Sequence, residues 1–469
     1  MHQHDASMEV LTQAVLRYSV ERMRLDPPPL DASRPAADLA AMAGRTVSPR
    51  GIGGLEALRV FGDVLAPACI SVDHPRFLSF VPAAPTEASM LFDLVVGASS
   101  IYAGSWLEGA GAVFAENEAL RYICDLAGLP AAAGGVFVSG GTGGNLSALI
   151  AARWRWRRRA DRRHDRTRGL VIGSSNAHSS IVAAGRAMDA DVIDVPADAR
   201  GRMTAEALEA RVEGLDPLDR ERLFAIVATS GTTNAGIIDD LAGVADVCER
   251  LGVWMHVDGA YGGAGLAAPS VRHLYDGIER ADSFIVDPHK WLFAPFDCCA
   301  LVYRDPFEAR RAHTQHAEYL DVLHADDHED EDWNPSDFAH HLSRRARGLP
   351  FWFSLATYGT DAYRDAVEIT LEVAHQGAEL VRAAAHLELI MEPELSVVLF
   401  RRVGWSPVQY RAWSDRLLHD GTAFVTPTGW AGETVLRYCV VNPRTTVADI
   451  QLIVDSLEDP IQESTGTQP

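Results

Sequence analysis

Ser283-Phe284-Ile285-Val286-Asp287-Pro288-His289-Lys290-Trp291 is the stretch on which the reading of this chain turns. An apolar run of strand length stops at Pro288, and a lysine follows between His289 and Trp291. Apolar and aromatic neighbours strip water from an ammonium group. Desolvation disfavours the charged form, so the amine becomes a better nucleophile. A lysine that merely follows a strand is ordinarily a solvated surface residue. Here a second stretch lies upstream, Trp254-Met255-His256-Val257-Asp258-Gly259-Ala260-Tyr261-Gly262, in which another buried strand delivers Asp258 at its end. Alone, that aspartate is a cap or turn residue. Together the two stretches suit a lysine that forms a Schiff base with a carbonyl coenzyme whose ring nitrogen needs an acidic partner.

Further out, a strand over 136–138 runs into Ser139-Gly140-Gly141-Thr142-Gly143-Gly144-Asn145, followed by a helix over 146–159. Backbone amides at a helix start make an anion site, glycines let a phosphate approach, and Thr142 adds a hydroxyl. Glycine-rich strand-helix turns are common, and the Walker lysine is missing, which argues against a nucleotide P-loop. Strands follow at 170–172, before Ala177-His178-Ser179-Ser180, at 192–195 and at 224–228, before Thr229-Ser230-Gly231-Thr232-Thr233. A helix over 204–213 lies between the last two, and Asp239 is expected to cap the helix leading to the Asp258 strand. A lone His178 at a helix start reads as a cap. Strands alternating with helices mean a parallel sheet covered on both faces, and ligands gather at the carboxyl ends of such strands. The glycine turn, His178, Thr233, Asp258 and Lys290 all fall at those ends.

This set of motifs resembles the group II amino-acid decarboxylases that use pyridoxal 5'-phosphate (PLP), among them the aromatic-L-amino-acid, glutamate and 2,4-diaminobutyrate decarboxylases. The resemblance runs from roughly His74 to Thr446. It implies an α/β architecture, the PLP-dependent transferase fold (fold type I). That fold has a large domain with a mainly parallel seven-stranded sheet, a small C-terminal α/β domain and an N-terminal helical arm. It implies that Lys290 holds PLP, that Asp258 pairs with the pyridine nitrogen, and that His178 stacks on the ring and takes part in proton transfer. Gly140, Gly141, Thr142, Thr233, Ala260, Asp287 and His289 would complete the cofactor site. Phe80, Val81, Pro82 and Trp106, an apolar proline-containing loop and a tryptophan, would line the substrate pocket. They lean toward an aromatic or apolar substrate side chain, and no basic residue stands out to clamp a γ-carboxylate. The expected reaction is decarboxylation of an L-amino acid to the amine. The alternatives are oxidative deamination to an aldehyde, a lyase or transaminase on the same fold, and an inactive PLP-binding scaffold or regulator.

Residues 313–337 change character. His313, His316, His324 and His328 interleave with acids over 326–332. No ligand pair has the spacing of a closed metal site, so no metal is expected; a solvated, mobile segment is. The family carries a flexible flap here, whose closure excludes water. Its aromatic branch places a proton-donating tyrosine shortly before the equivalent of Ser343-Arg344-Arg345. In this chain Trp333-Asn334-Pro335-Ser336-Asp337 has none, and Tyr319 is the nearest upstream. Members lacking that tyrosine can divert toward aldehydes.

The chain has 469 residues, 47% of them apolar, and a formal net charge of −22. That acidity argues against nucleic acid and anionic membrane as partners, and no apolar run reaches membrane-span length. The first residues carry no basic-then-apolar signal. Six scattered cysteines without CxxC spacing read as reduced thiols in a cytoplasmic protein. Helices over 7–24, ended by Pro27-Pro28-Pro29, and over 55–65 form an arm expected to pack on a second subunit in a homodimer. A long helix over 108–127 carries Glu116 and Glu118. The arginines between 153 and 168 read as a solvated helix face. A helix over 359–386 and strands near 387–391, 396–400 and 436–441 build the tail, and 462–469 should be disordered. The expected division is 1–72 for the arm, 73–348 for the PLP domain with its flap, and 349–469 for the small domain.

Overall fold

A computed structural model describes His2 and residues 5–159, 167–323 and 333–458. Seven strands, β1 (Gly134–Val138), β2 (Leu170–Ser174), β3 (Asp191–Val195), β4 (Leu223–Thr229), β5 (Trp254–Asp258), β6 (Ser283–Val286) and β7 (Cys299–Tyr303), form one sheet in the order β1-β7-β6-β5-β4-β2-β3. A strand wetted on one face alternates apolar with polar residues; a strand buried on both does not need to. Here alternate residues enter two separate cores. Val136, Val171, Ala225, Val227 and Ile285 face one, and Phe137, Ile172, Ile226, Val257 and Phe284 face the other. The Gly141–Arg159 helix covers the first core and the Leu241–Leu251 helix the second.

Strands β2 through β6 pair in parallel, while β7 runs antiparallel to both β6 and β1. Between β6 and β7 there is only the four-residue helix Pro288–Trp291. That is too little for the covering helix of a parallel crossover, so the chain returns antiparallel. β1 therefore points the same way as β6, and six carboxyl ends share one edge.

Two local expectations change. The helix after β1 starts at Gly141, not at 146, so the glycines and Asn145 belong to its first turns. A Cβ at Gly144 would lie 2.9 Å from Ile285 Cγ2 and 3.1 Å from Cys299 Sγ; glycine there lets the helix lie close on the sheet. Asp239 is not the cap of the Leu241–Leu251 helix; Asp240 is, accepting from the Gly243 amide. Asp239 is buried and accepts from the amides of Met203 (2.7 Å) and Thr229 (2.8 Å). Burial pushes its carboxyl up to about 7.

A second sheet of β8 (Leu387–Leu389), β9 (Val397–Arg402), β10 (Pro427–Trp430) and β11 (Glu433–Cys439) is antiparallel throughout, in the order β10-β11-β9-β8. Val373, Trp413 and Ile450, from the helices Thr360–Ala383, Pro407–His419 and Val447–Asp455, pack on its Phe400 and Tyr438. Residues 77–79 join this layer, since Leu78 donates to the Phe424 carbonyl and accepts from the Cys439 amide. The Ala6–Met23 helix buries none of its residues within the chain; Arg22 ties it to Asp73 at 2.8 Å.

The stretch 313–337 is not solvated at its ends. His313 is buried, its Nε2 3.0 Å from the Ser147 carbonyl, and burial pulls it down to about 4. Trp333 stacks on Phe338 with centroids 4.1 Å apart and donates to the Gly135 carbonyl. Asn334 accepts from the Trp106 amide, and the Ser336 amide donates to Gly104. These partners sit beside β1, far back in the sequence, which is why the acidic run concealed them. Residues 324–332, with His324 and His328, lie outside the described residues, as do the side chain of Tyr319, residues 160–166 of the arginine run, and the tail 462–469. Among the described residues, no helix is long and apolar enough to cross a membrane. The cysteines are all free, and all but Cys69 are buried.

Glu116, on the Trp106–Leu126 helix, and Arg344 form a fully buried bidentate pair at 2.7 and 2.9 Å. Glu116 also accepts from the Gly348 amide. Removing one partner strands a buried charge, at about 3–5 kcal/mol. Glu116→Leu or Arg344→Leu alone should therefore lower the urea midpoint sharply, and the double substitution should recover part of the loss. Single variants with unchanged midpoints would show that the pair carries no such weight.

Candidate active site

The carboxyl ends of β1, β2, β4, β5 and β6 meet over a cavity of about 660 Å³. Gly140, Gly141 and Thr142 reach its wall from β1, His178 from β2 and Thr233 from β4. Asp258 and Ala260 come from β5, and Asp287, His289 and Lys290 from β6. Every residue expected to hold the cofactor therefore lies on one wall. Phe80, Val81, Pro82 and Trp106 do not line it. Phe80 sits in a left-handed turn, φ 53°, with its ring 6.0 Å from that of Phe424. Val81 packs against the main core, Pro82 is buried, and Trp106 opens a helix whose first amide is held by Asn334. Phe80 is thus tied to Phe424 beside the second sheet and Trp106 to residues 333–337.

Lys290 departs from the expectation of a neutral amine. Burial does favour loss of its proton, but Asp287 lies 2.9 Å from Nζ, with Asp258 adding to it, and together they raise Lys290 above its ordinary value. Burial likewise works against the charge on Asp287, and the Lys290 ammonium overrides it, holding the carboxyl below the ordinary carboxylate range. Trp291 is not a neighbour that dries the lysine. It is fully buried, stacked on Tyr261 with centroids 5.3 Å apart, and bonded to Thr370. His289 Nδ1 lies 2.7 Å from the Cys298 carbonyl, which fixes the turn that presents Lys290.

Asp258 accepts from Asn145 Nδ2 at 2.8 Å through Oδ2 and from the Ala260 amide at 3.1 Å through Oδ1. Asn145 also reaches Ser180 Oγ (2.9 Å) and His256 Nε2 (2.7 Å). Ser180 reaches His178 Nδ1 through Oγ (2.8 Å) and its amide (3.2 Å). His256 Nδ1 meets Ser283 Oγ at 2.8 Å, and Ser283 Oγ accepts from the Trp254 indole at 2.8 Å. Burial pulls His256 down to about 4, so the ring is neutral at physiological pH. Asn145, Ser180 and His256 had no place in the sequence reading. Periodicity held a signal for Asn145, since 145, 148, 149 and 152 share one helical face and that face is otherwise apolar. His256, polar in the middle of a buried strand, was a second signal.

The wall fits the coenzyme that the sequence implies. A Cβ on Gly140 would meet nothing within 4 Å, so space for a phosphate lies over the start of a 19-residue helix whose first-turn amides seek acceptors. Asp287 Oδ1 and Thr229 Oγ1 are buried at the cavity without a hydrogen-bond partner. A lysine for an aldehyde, a buried acid for a ring nitrogen and a helix start for a phosphate form a matching donor set.

Comparison with known proteins points the same way. Residues 56–403 match the pyridoxal-dependent decarboxylase conserved domain. The aromatic-L-amino-acid decarboxylase of Bacillus atrophaeus is 28% identical over 408 residues, covering 85% of this chain and 83% of that one. The L-2,4-diaminobutyrate decarboxylase of Rhizobium meliloti (strain 1021) is 32% identical over 430 residues, covering 88% and 83%. The crystal structure of mouse CSAD superposes with TM-score 0.85 at 26% identity over 97% of this chain and 99% of that one. The structure of Oryza sativa TDC with PLP and tryptamine shares the fold, with TM-score 0.89 at 24% identity over 98% of both chains.

Replacing Asp287 by Asn removes the charge that raises Lys290 and leaves the burial that lowers it. The pH profile of cofactor capture by the apoenzyme should move to lower pH. At a fixed pH, the free amine should rise about tenfold for each pH unit that the profile moves. Stopped-flow absorbance on wild type and Asp287→Asn checks this. Superimposable profiles would mean that Asp287 does not govern the lysine.

Proposed function

Since this chain belongs to the pyridoxal-dependent decarboxylase family, and is thereby a PLP-dependent amino-acid decarboxylase, we propose that its substrate is an L-amino acid with an aromatic or apolar side chain, converted to the amine and carbon dioxide. The observation that carries the side-chain preference is the composition of the wall. Among the described residues, Lys290 is the one lysine or arginine that lines the cavity. With that amine engaged by the cofactor or by Asp287, no other lysine or arginine among the described lining residues is there to clamp a substrate side-chain carboxylate. Among the described residues, two of the three acids lining the cavity are already engaged where an aminated side chain would need them, Asp297 with Arg347 and Asp258 with Asn145 and the Ala260 amide. Phe296, 55% exposed and lining the cavity, offers an aromatic face.

Bound PLP supplies the electron sink for the pair left when carbon dioxide departs. Lys290 provides the anchoring amine, and Asp287 holds that amine's charge until it is needed. Asp258 presents a carboxylate to the ring nitrogen and keeps a hydrogen there. The amides at Gly140, Gly141 and Thr142 bind the phosphate, with Thr233, Ala260 and His289 closing the wall. His178, bonded to Ser180 through Nδ1, keeps Nε2 to hold or deliver a proton at the cavity. We take residues 1–72 as an arm, 73–348 as the cofactor-binding domain and 349–469 as the small domain of this reading. Met8, Val15, Leu16 and Val20 are exposed on the Ala6–Met23 helix, which supports a second copy of the chain as their cover in a homodimer.

A second outcome, oxidative deamination to an aldehyde, is favoured by one observation. The stretch 333–337 holds no tyrosine, and its Trp333 is committed to Phe338 and Gly135.

A panel of L-amino acids assayed together for carbon dioxide, amine and peroxide separates these readings. Amine equal to carbon dioxide, greatest with aromatic or apolar substrates, is expected. Peroxide in proportion to carbon dioxide would replace the amine reading, and preference for glutamate would overturn the side-chain argument. Lys290→Ala should abolish turnover and the pyridoxyl label left at this position by borohydride. Light scattering should report twice the chain mass, falling with Leu16→Glu.

A further inference from the structure

Asn145 stands at the centre of a buried hydrogen-bond network whose direction can be worked out. Asp258 only accepts, so the Asn145 group 2.8 Å from it must be the NH₂. The flipped amide would set two oxygens against each other. Asn145 Oδ1 then faces His256 and only accepts, so His256 carries its hydrogen on Nε2. A neutral ring with Nε2–H accepts at Nδ1, so Ser283 donates there. Ser283 Oγ in turn accepts from the Trp254 indole, which can only donate. The chain starts at a group that cannot accept, ends at one that cannot donate, and every link between agrees. The second Asn145 hydrogen goes to Ser180 Oγ, which frees the Ser180 hydroxyl to donate to His178 Nδ1 alongside the Ser180 amide. His178 in its neutral form then carries its hydrogen on Nε2.

We propose that Asn145 is a positioning residue for the decarboxylation. One amide sets the plane of the Asp258 carboxylate through one hydrogen and the hydrogen placement on His178 through the other, so that the two groups on the wall are aligned together. This rests on the reading that Asp258 and His178 serve the coenzyme ring. Asn145 touches neither substrate nor cofactor by this account. It is 1% exposed and reaches the wall because Gly141 and Gly144 let its helix lie against the ends of β5 and β6. The titratable and charged groups around it are His256 and Asp258 directly, His178 through Ser180, and Lys290 beyond Asp258.

The test uses the PLP-loaded enzyme with Asn145→Asp and Asn145→Leu. Asn145→Asp keeps the shape and the acceptor toward His256. When ionised, it replaces the donor with an oxygen facing Asp258 and draws the Ser180 hydroxyl away from His178. When protonated, the introduced carboxyl can donate to Asp258 again. At neutral pH kcat should fall about 10- to 100-fold in both variants, by analogy with the loss of a hydrogen bond that orients a metal ligand. On acidification Asn145→Asp should regain part of the loss, while Asn145→Leu should not. The absorption spectrum of bound cofactor, read over the same pH range, should change in Asn145→Asp where wild type is flat. Wild-type rates in both variants would overturn the proposal. So would a fall in Asn145→Asp with a wild-type pH profile and spectrum, which marks a packing role only. If Asn145→Leu does not fold, Asn145→Asp alone decides. Asp258→Asn and Lys290→Ala run in parallel. If those two keep activity and cofactor, the underlying reading fails; if they lose both while the Asn145 variants behave as wild type, only the positioning role fails.

Discussion

Two carboxylates buried at adjoining strand ends set the terms for this site. Asp258 ends β5 and Asp287 follows β6, and both are almost fully enclosed. An ionised carboxylate without partners is expensive to bury, so each draws donors to itself. Asp287 is met by Lys290, and Asp258 by Asn145 and the Ala260 amide. The parallel pairing of β5 with β6 sets Asp258 opposite Ile285, two residues before Asp287, so both acids lie at the same edge. Much of the rest can be read as what is needed to bring those donors to that edge.

The glycines after β1 serve this arrangement twice. At Gly140 the missing side chain leaves open space at the start of a helix. At Gly141 and Gly144 it lets the helix lie against Ala260, Ile285 and Cys299. Amides open to an acceptor and a donor for Asp258 thus come from one helix at two depths, with the amides at its tip and the Asn145 side chain one turn further in. The opposite side of the wall is stiffened by Tyr261, stacked on Trp291 and bonded through its hydroxyl to Ser396 beside β9. The small sheet is thereby joined to the turn that carries Lys290. That junction is made of packed rings and not of a flexible linker.

The electrostatics also bear on how the lysine is used. A dry lysine would be neutral and reactive at rest. Paired with Asp287 it is held as an ammonium, ordered and aimed, and its charge offsets a carboxylate that could not otherwise stay buried. Ordering the amine in advance lowers the entropy cost of forming a bond to it.

Much of the sheet was legible in the chain. Runs of consecutive apolar residues mark strands buried on both faces, and the residues that close those runs are the ones that line the cavity. Strand positions, the common edge, and the grouping of Gly140, Thr142, His178, Thr233, Asp258 and Lys290 follow from that pattern, because hydrophobic periodicity is a property of each segment by itself. The charge on Lys290, the buried role of Asp239, the hub at Asn145, the anchoring of residues 333–337, and the seats of Phe80 and Trp106 away from the cavity were decided only in three dimensions. The charge on Lys290 depends on a turn that folds it back onto Asp287 three residues earlier, Asp239 on which of two adjacent acids turns inward, and the others on contacts between groups tens to hundreds of residues apart. Local sequence states which face of an element is buried; protonation and hydrogen-bond direction are settled by what the fold sets against that face.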